Sequence, residues 1–307
     1  MPEQLNKIIT NKQMKIFKGT GVAIVTPFKN DSSIDFAALG RVINHVITGG
    51  VNYIVALGTT GESVTLSKEE KKVVISYVIE AIDSRVPLVV GIGGNNTQEI
   101  VNSLRHSNLT GVDGILSVAP YYNKPSQKGI FQHFKAIATS SPLPVIIYNV
   151  PGRTCSNISS DTCVELAHEC ENIIAVKEAS GDISQIMKIL KNKPENFSVI
   201  SGDDMMTMPI LAAGGSGVIS VLANAFPSQT SELVNHCLKN NFKSAREIQF
   251  RFLEMIELLF IDGNPSGVKA MLNIMNISQN ILRLPLVPVS RTVYTRIQKA
   301  IEEVNKV

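Results

Sequence analysis

A lysine closes the apolar run Ile173-Ile174-Ala175-Val176, and Gly181-Asp182 follow to stop the strand and cap a helix. With the period-two alternation of a strand, Ile173, Ala175 and Lys177 share one face while Ile174 and Val176 share the other. Two readings are open for such a lysine. Its stem can lie along the sheet edge with the ammonium in water. Alternatively the amine stays inside, where burial disfavours its charged form and leaves a neutral nucleophile that attacks carbonyl carbons. The product of that attack is a Schiff base, an electron sink through which a bound ketone loses an α-proton and adds to an aldehyde. Such chemistry needs a proton carrier, and Tyr148, at the end of a neighbouring predicted strand, offers a hydroxyl; the other reading of Tyr148 is a core aromatic. Thr59 and Thr60 sit between glycines, where hydroxyls and backbone N–H groups could hold a carboxylate, although a Gly-Thr-Thr-Gly segment is also an ordinary turn. Arg153 presents either a planar fork to a substrate carboxylate or a solvated loop cation.

The elements that must position these residues recur as strand-helix pairs. Predicted strands at 20–26, 52–57, 87–91, 113–118, 144–149, 173–177, 197–201 and 217–221 alternate with predicted helices at 35–47, 67–83, 97–108, 127–139, 159–170, 182–190, 206–212 and 227–238. The helix at 67 opens with a capping box, Ser67-Lys68-Glu69-Glu70. Eight such units predict an α/β fold of the (β/α)8 TIM-barrel type. Beyond Lys239 the strands stop, and stretches 242–262, 267–275 and 290–304 read as helices. The expected organisation is therefore a polar tail over 1–15, a catalytic barrel over 16–239 and an appended helical region over 240–307. In a barrel the loops after the strands build the site. The unusual residues gather there: Gly58 to Ser63, Gly93 to Asn96, Pro120 to Asn123, Tyr148 to Thr154, Lys177-Glu178, Gly202-Asp203-Asp204 and Asn224.

Composition excludes several classes. Apolar residues make up 44% and charged ones 18% of 307 residues, which suits a packed globular chain. The net charge of +3 is too small and scattered to argue for nucleic acid. Apolar runs are too short to span a membrane, and the polar start of the chain lacks the apolar core of a signal peptide, so a cytoplasmic address is expected. Cys155, Cys163, Cys170 and Cys237 have no metal-binding or disulfide-framework spacing. Gly91-Ile92-Gly93-Gly94-Asn95-Asn96 begins like a dinucleotide fingerprint, but Asn96 stands at the third glycine position, and no nicotinamide cofactor is expected. Asp203, Asp204 and Glu178 have no histidine at ligand spacing, so no metal is expected either.

With GTTGES, PYYN-P, YNVPGRT, VKEASGD and SGDD in this order, the chain from Phe17 onward resembles the dihydrodipicolinate synthases, within the wider family of pyruvate-dependent lysine Schiff-base aldolases. The resemblance implies condensation of pyruvate with L-aspartate 4-semialdehyde on the way to diaminopimelate and lysine, without a cofactor. It implies that Lys177 binds pyruvate, that Tyr148 relays protons, and that Thr59 links Tyr148 to Tyr122 of a neighbouring subunit. Thr60 and the backbone near Ile219 would hold the pyruvate carboxylate, Arg153 that of the semialdehyde, and Gly202 stands with them among the substrate-binding residues. A homotetramer built as a dimer of dimers follows from the shared tyrosine. Ser63, Asn95, Glu99 and Tyr121 match the lysine effector pocket of inhibited members, but Lys68 and Lys71 replace its histidines or aromatic, which implies weak or absent feedback. Alternatives are an N-acetylneuraminate lyase or sugar-acid aldolase, argued against by Arg153, and a non-catalytic barrel acting as a small-molecule sensor, argued against by the joint presence of Lys177, Tyr148, Thr59 and Tyr122.

Overall fold

Short runs of valine and isoleucine alternate with capped helices along residues 17–304, which are the residues described in the computed structural model. The strands are β1 (Gly19–Ala23), β2 (Tyr53–Ala56), β3 (Leu88–Gly91), β4 (Gly114–Val118), β5 (Val145–Asn149), β6 (Ile173–Glu178), β7 (Ser198–Ser201) and β8 (Gly217–Ser220). They pair in parallel in chain order, and β8 closes on β1. The expected (β/α)8 barrel is therefore the observed one. The expected tail over 1–15 lies outside the described residues.

Around the barrel run α1 (Phe36–Thr48), α2 (Lys68–Ile82), α3 (Thr97–His106), α4 (Gln127–Ser140), a short α5 (Pro151–Thr154), α6 (Ser160–Glu169), α7 (Ile183–Asn192), α8 (Thr207–Ala212) and α9 (Pro227–Leu238). Local chemistry starts many of them. Asp35, Asn96, Ser126, Ser159 and Asp182 each accept a hydrogen bond from a first-turn N–H. Both halves of the Ser67–Glu70 capping box form, at 3.1 and 2.8 Å. Asn224 ends β1 sooner than the sequence suggests. Its amide donates to the Ala23 carbonyl at 2.8 Å and its oxygen accepts from Val25 N–H at 3.1 Å, so a side chain takes these two backbone groups, while Ile24 N–H still donates to the Val55 carbonyl of β2 at 3.0 Å.

Past Lys239, the stretch expected as one helix over 242–262 is two, α10 (Phe242–Arg251) and α11 (Leu253–Leu258). Phe252, packed edge-on to Phe226 at 5.1 Å, shares its N–H between the Ile248 and Gln249 carbonyls and separates them. The last helices are α12 (Ser266–Ile274) and α13 (Arg291–Val304).

The largest core lies between strands and helices and includes Val22, Ile54, Ile115, Ile147 and Val176. A second one fills the barrel, with Phe17 edge-on to Tyr53 at 5.5 Å and Val55, Val89, Leu116, Ile146 and Ile219 also within it. One alternation is corrected. Val145 pairs with Ile173 but Ile146 pairs with Ala175, a bulge that leaves Ile174 over. Ile174 and Ala175 therefore both join the barrel interior, while Ile173 packs outside with Val176. Below the bulge the strict period fails, and above it Lys177 is aimed inward.

Candidate active site

Lys177 and Tyr148 are directly paired across β5 and β6. Both side chains are buried, at 5% and 7% exposure, and the lysine Nζ lies 4.3 Å from the centre of the tyrosine ring. The cation reading at a solvated edge is thus set aside. Burial lowers the Lys177 amine to about 8, with Arg153 acting in the same direction and the Asp204 carboxylate opposing both. Burial raises the Tyr148 phenol, against the pull of Arg153 and Thr59. Gly202 matters by what it lacks: a Cβ there would stand 2.8 Å from the Ala179 Cβ and 3.0 Å from Lys177 Cε. Any larger residue would crowd Ala179 and the Lys177 side chain.

These groups open on a cavity of about 300 Å³, within the range of small-molecule sites. Thr59, Thr60, Arg153, Gly202, Asp203 and Asn264 are among its lining residues, with Lys177 and Tyr148. Six of the eight residues expected to carry catalysis or bind substrate therefore line one cavity. Ile219 is different: it is fully buried in the barrel interior, and Val221, just after its strand, lines the cavity. Tyr122 is not brought to Thr59 within this chain; it is 88% exposed, with φ of 73°.

Two buried carboxylates, which the sequence places at the end of β6 and just after β7, hold the neighbouring loops together. Asp204 accepts from the Ser220 hydroxyl and from Val221 and Leu222 N–H at 2.9 and 3.1 Å, which ties the loop after β7 to that after β8. Glu178 points away from the cavity. It accepts from the Asn149 amide at 3.1 and 3.2 Å, from Ser180 N–H at 2.9 Å and from Gln185 at 3.2 Å. Asn149 in turn donates to Asn157 at 2.8 Å and accepts from Ile158 N–H at 2.9 Å, so one network holds the segment that follows Arg153. Among the described residues, no group of three His, Cys, Asp or Glu is placed to hold a metal ion.

The region expected to be a mere appendage supplies one wall. Ile256, Glu257, Phe260 and Asn264 line the cavity. The Asn264 amide donates to the Thr60 hydroxyl oxygen at 3.0 Å. Locally, Asn264-Pro265 reads only as a turn dipeptide. Of the possible effector residues, Asn95 donates to the Tyr121 carbonyl at 3.2 Å, and Lys68 pairs with Glu99 at 3.4 Å, while Ser63 lies at the start of a short 3-10 turn, Ser63–Thr65.

A sequence profile of the Dihydrodipicolinate synthetase family matches residues 16–304. A relative from Parabacteroides distasonis named 4-hydroxy-tetrahydrodipicolinate synthase is 50% identical, over 94% of this chain and 97% of its own length. Among solved structures, dihydrodipicolinate synthase from Aquifex aeolicus is 41% identical with a TM-score of 0.91, covering 94% of this chain and 98% of that one. A chloride-inhibited dihydrodipicolinate synthase from Acinetobacter baumannii, solved in complex with pyruvate, is 37% identical with a TM-score of 0.91, covering 94% of this chain and 99% of that one.

Proposed function

The chain belongs to the dihydrodipicolinate synthetase family, and from that premise we propose how its residues divide the work. The activity is that of a 4-hydroxy-tetrahydrodipicolinate synthase, a Schiff-base lyase of the diaminopimelate route to lysine. The substrates are pyruvate and L-aspartate 4-semialdehyde. Neutral Lys177 Nζ attacks the ketone carbon of pyruvate, and loss of water leaves the protonated Schiff base. Tyr148 donates and retrieves the protons of that exchange, with Thr59 beside it. Loss of a methyl proton gives an enamine, whose carbon adds to the aldehyde of the second substrate. The amino group of the semialdehyde then closes on the Schiff-base carbon, the ring forms, and the lysine amine leaves.

The observation that carries this reading is a buried amine on β6 against a buried phenol on β5, in a cavity that Thr59, Thr60 and Arg153 also line. Thr60 and the loop backbone beyond Ile219 receive the pyruvate carboxylate, next to Gly202. Arg153 receives the carboxylate of the semialdehyde. Replacing Arg153 with Ala is expected to raise KM for the semialdehyde by roughly 10- to 100-fold, since a charge-assisted pair is lost. Adduct formation with pyruvate should stay within a few-fold of native. The same assay run with sialic acid tests the aldolase alternative, and preferential turnover of sialic acid would sink the role given to Arg153.

We assign residues 16–239 to the catalytic barrel and 240–307 to the helical region. We propose the homotetramer, a dimer of dimers, with Tyr122 serving a neighbouring chain. Its 88% exposure, next in sequence to exposed Tyr121, supports a covered surface there. A cytoplasmic location is proposed on the four free cysteines, which suit a reducing compartment. No helix among the described residues is long and apolar enough to cross a membrane.

Ser63, Asn95, Glu99 and Tyr121 form the effector pocket in this proposal. The Lys68 ammonium already meets the Glu99 carboxylate that a lysine effector would need. Titration calorimetry with L-lysine is therefore expected to give no binding up to millimolar concentrations, and tight binding would overturn this reading.

A further inference from the structure

The turn that carries Thr59 and Thr60 ends on a residue with unusual demands. Glu62 has left-handed backbone (φ 50°), and its side chain is 1% exposed. An ionised carboxylate buried in this way needs a partner, because desolvation otherwise outweighs what folding gains. The partner is Lys269 on α12, itself fully buried, whose ammonium donates to Glu62 Oε1 and, at 2.9 Å, to the Ile281 carbonyl. Glu62 Oε2 accepts from Arg283 N–H at 3.1 Å. Lys269 Nζ and the Arg283 guanidinium lie over the Phe28 ring, at 4.2 and 4.6 Å. Arg283 also forks onto Glu70, which belongs to the capping box of α2. Two cations and two carboxylates thus bind the turn, the start of α2 and the C-terminal region together.

None of these charged groups lines the cavity, yet the turn they hold does. Glu62 N–H donates to the Thr59 carbonyl at 3.1 Å, and the Gly61 carbonyl accepts from Thr26 at 2.7 Å. From the segment leading into α12, the Asn264 amide donates to the Thr60 hydroxyl oxygen at 3.0 Å. That bond uses an acceptor site of the hydroxyl and leaves its proton for another acceptor. The segment leading into the helix that brings Lys269 to Glu62 therefore also keeps the Thr60 proton free to donate.

We propose that the buried Glu62–Lys269 pair is a positioning device for substrate binding: it clamps the Thr59-Thr60 turn to α12 so that the Thr60 hydroxyl is presented as a donor to the carboxylate of the keto acid. This rests on the role given to Thr60 above and deepens it. Glu62 and Lys269 touch no substrate; they act through the turn.

Single removal of Lys269 leaves a buried unpaired carboxylate and can unfold the chain, so the test uses the neutral pair Glu62→Gln/Lys269→Met. Glutamine keeps an acceptor for Arg283 N–H. Thermal unfolding, KM for pyruvate, kcat, and the amount of borohydride-trapped pyruvate adduct at saturation are measured on the full chain. The expected result is a folded protein with full adduct at saturation, kcat within about threefold of native and KM for pyruvate raised about tenfold, the mark of a displaced binding group. In a Thr60→Val background the same pair change should raise KM less than about twofold further, because both changes remove one interaction. An unchanged KM, or effects of the pair and of Thr60→Val that multiply independently, would overturn the proposal. If the native chain itself forms no adduct with pyruvate, the proposed site fails first; if it does form one and KM ignores the pair, only the positioning role fails.

Discussion

Replacing Lys177 with Met is expected to abolish the borohydride-trapped pyruvate adduct and lower kcat by on the order of 10⁴-fold or more, as for loss of other covalent nucleophiles. Methionine keeps most of the buried stem, so the fold should survive. Lys177→Arg separates nucleophile from charge: a guanidinium stays protonated, and the variant should be as inactive as the methionine one. A trapped adduct in Lys177→Met, found by peptide mass mapping at another lysine, would refute the assignment.

The pH dependence follows from the same burial. With the amine lowered to about 8, roughly one-tenth is neutral at pH 7, against roughly one part in three thousand for an ordinary lysine. Adduct formation should climb about tenfold per pH unit below 8 and level off above it. Stability has its own sign. The native state binds fewer protons than the unfolded chain between the lowered value and the ordinary 10.5, so stability contributed by this group rises with pH in that window. Below pH 8 the full destabilisation is present. Lys177→Met should therefore gain thermal stability relative to the native chain at pH 7, and the gain should shrink as pH approaches 10.5. A difference independent of pH would contradict the buried, titrating amine.

Tyr148→Phe is expected to lower kcat by about 10²- to 10⁴-fold, the span of a lost general acid–base, while pyruvate still forms a trapped adduct slowly. The ring keeps its contact with Lys177, since only the hydroxyl is removed, and unfolding should shift by no more than about 1 kcal/mol. The phenol is raised by burial and pulled down by Arg153 and Thr59, so it keeps its proton at neutral pH as a general acid must. Single-turnover kinetics distinguish the steps: adduct formation and ring closure should both slow, whereas KM for the semialdehyde should move little. Loss of less than about tenfold in kcat would return Tyr148 to the status of a core aromatic.

Much of the site was legible because its parts are local. An apolar run ending in lysine, a tyrosine ending the strand before it, and glycines around two threonines are all readable within a few residues. Counting strand-helix pairs then places their loops at one end of a barrel. The inward aim of Lys177 was read correctly, but for a partly wrong reason: simple alternation put Ile173 on its face, and the bulge at Ile174 reverses that. Bulges depend on how two strands meet, and period-two reasoning on one strand cannot contain them. Tyr122 shows another limit, since a residue exposed at 88% has its meaning in what covers it.

What the sequence by itself determined is the class of fold, the order of its loops and the place of Lys177 at the end of a buried strand, because strand periodicity, helix caps and turn residues act over short spans. What only the tertiary structure decided is how these loops are held. Glu62 and Lys269 stand 207 residues apart, and Asn264 and Thr60 204 apart. Neither pair leaves a pattern in local hydropathy; a lysine in a helix reads as a solvated face until a buried carboxylate is found opposite it. The C-terminal helices changed most in meaning, from an appendage to one wall of the cavity and the anchor of the turn that faces Lys177. The physical reason is desolvation: a buried charge is stable only where the chain brings its partner, and that meeting is a property of the closed fold.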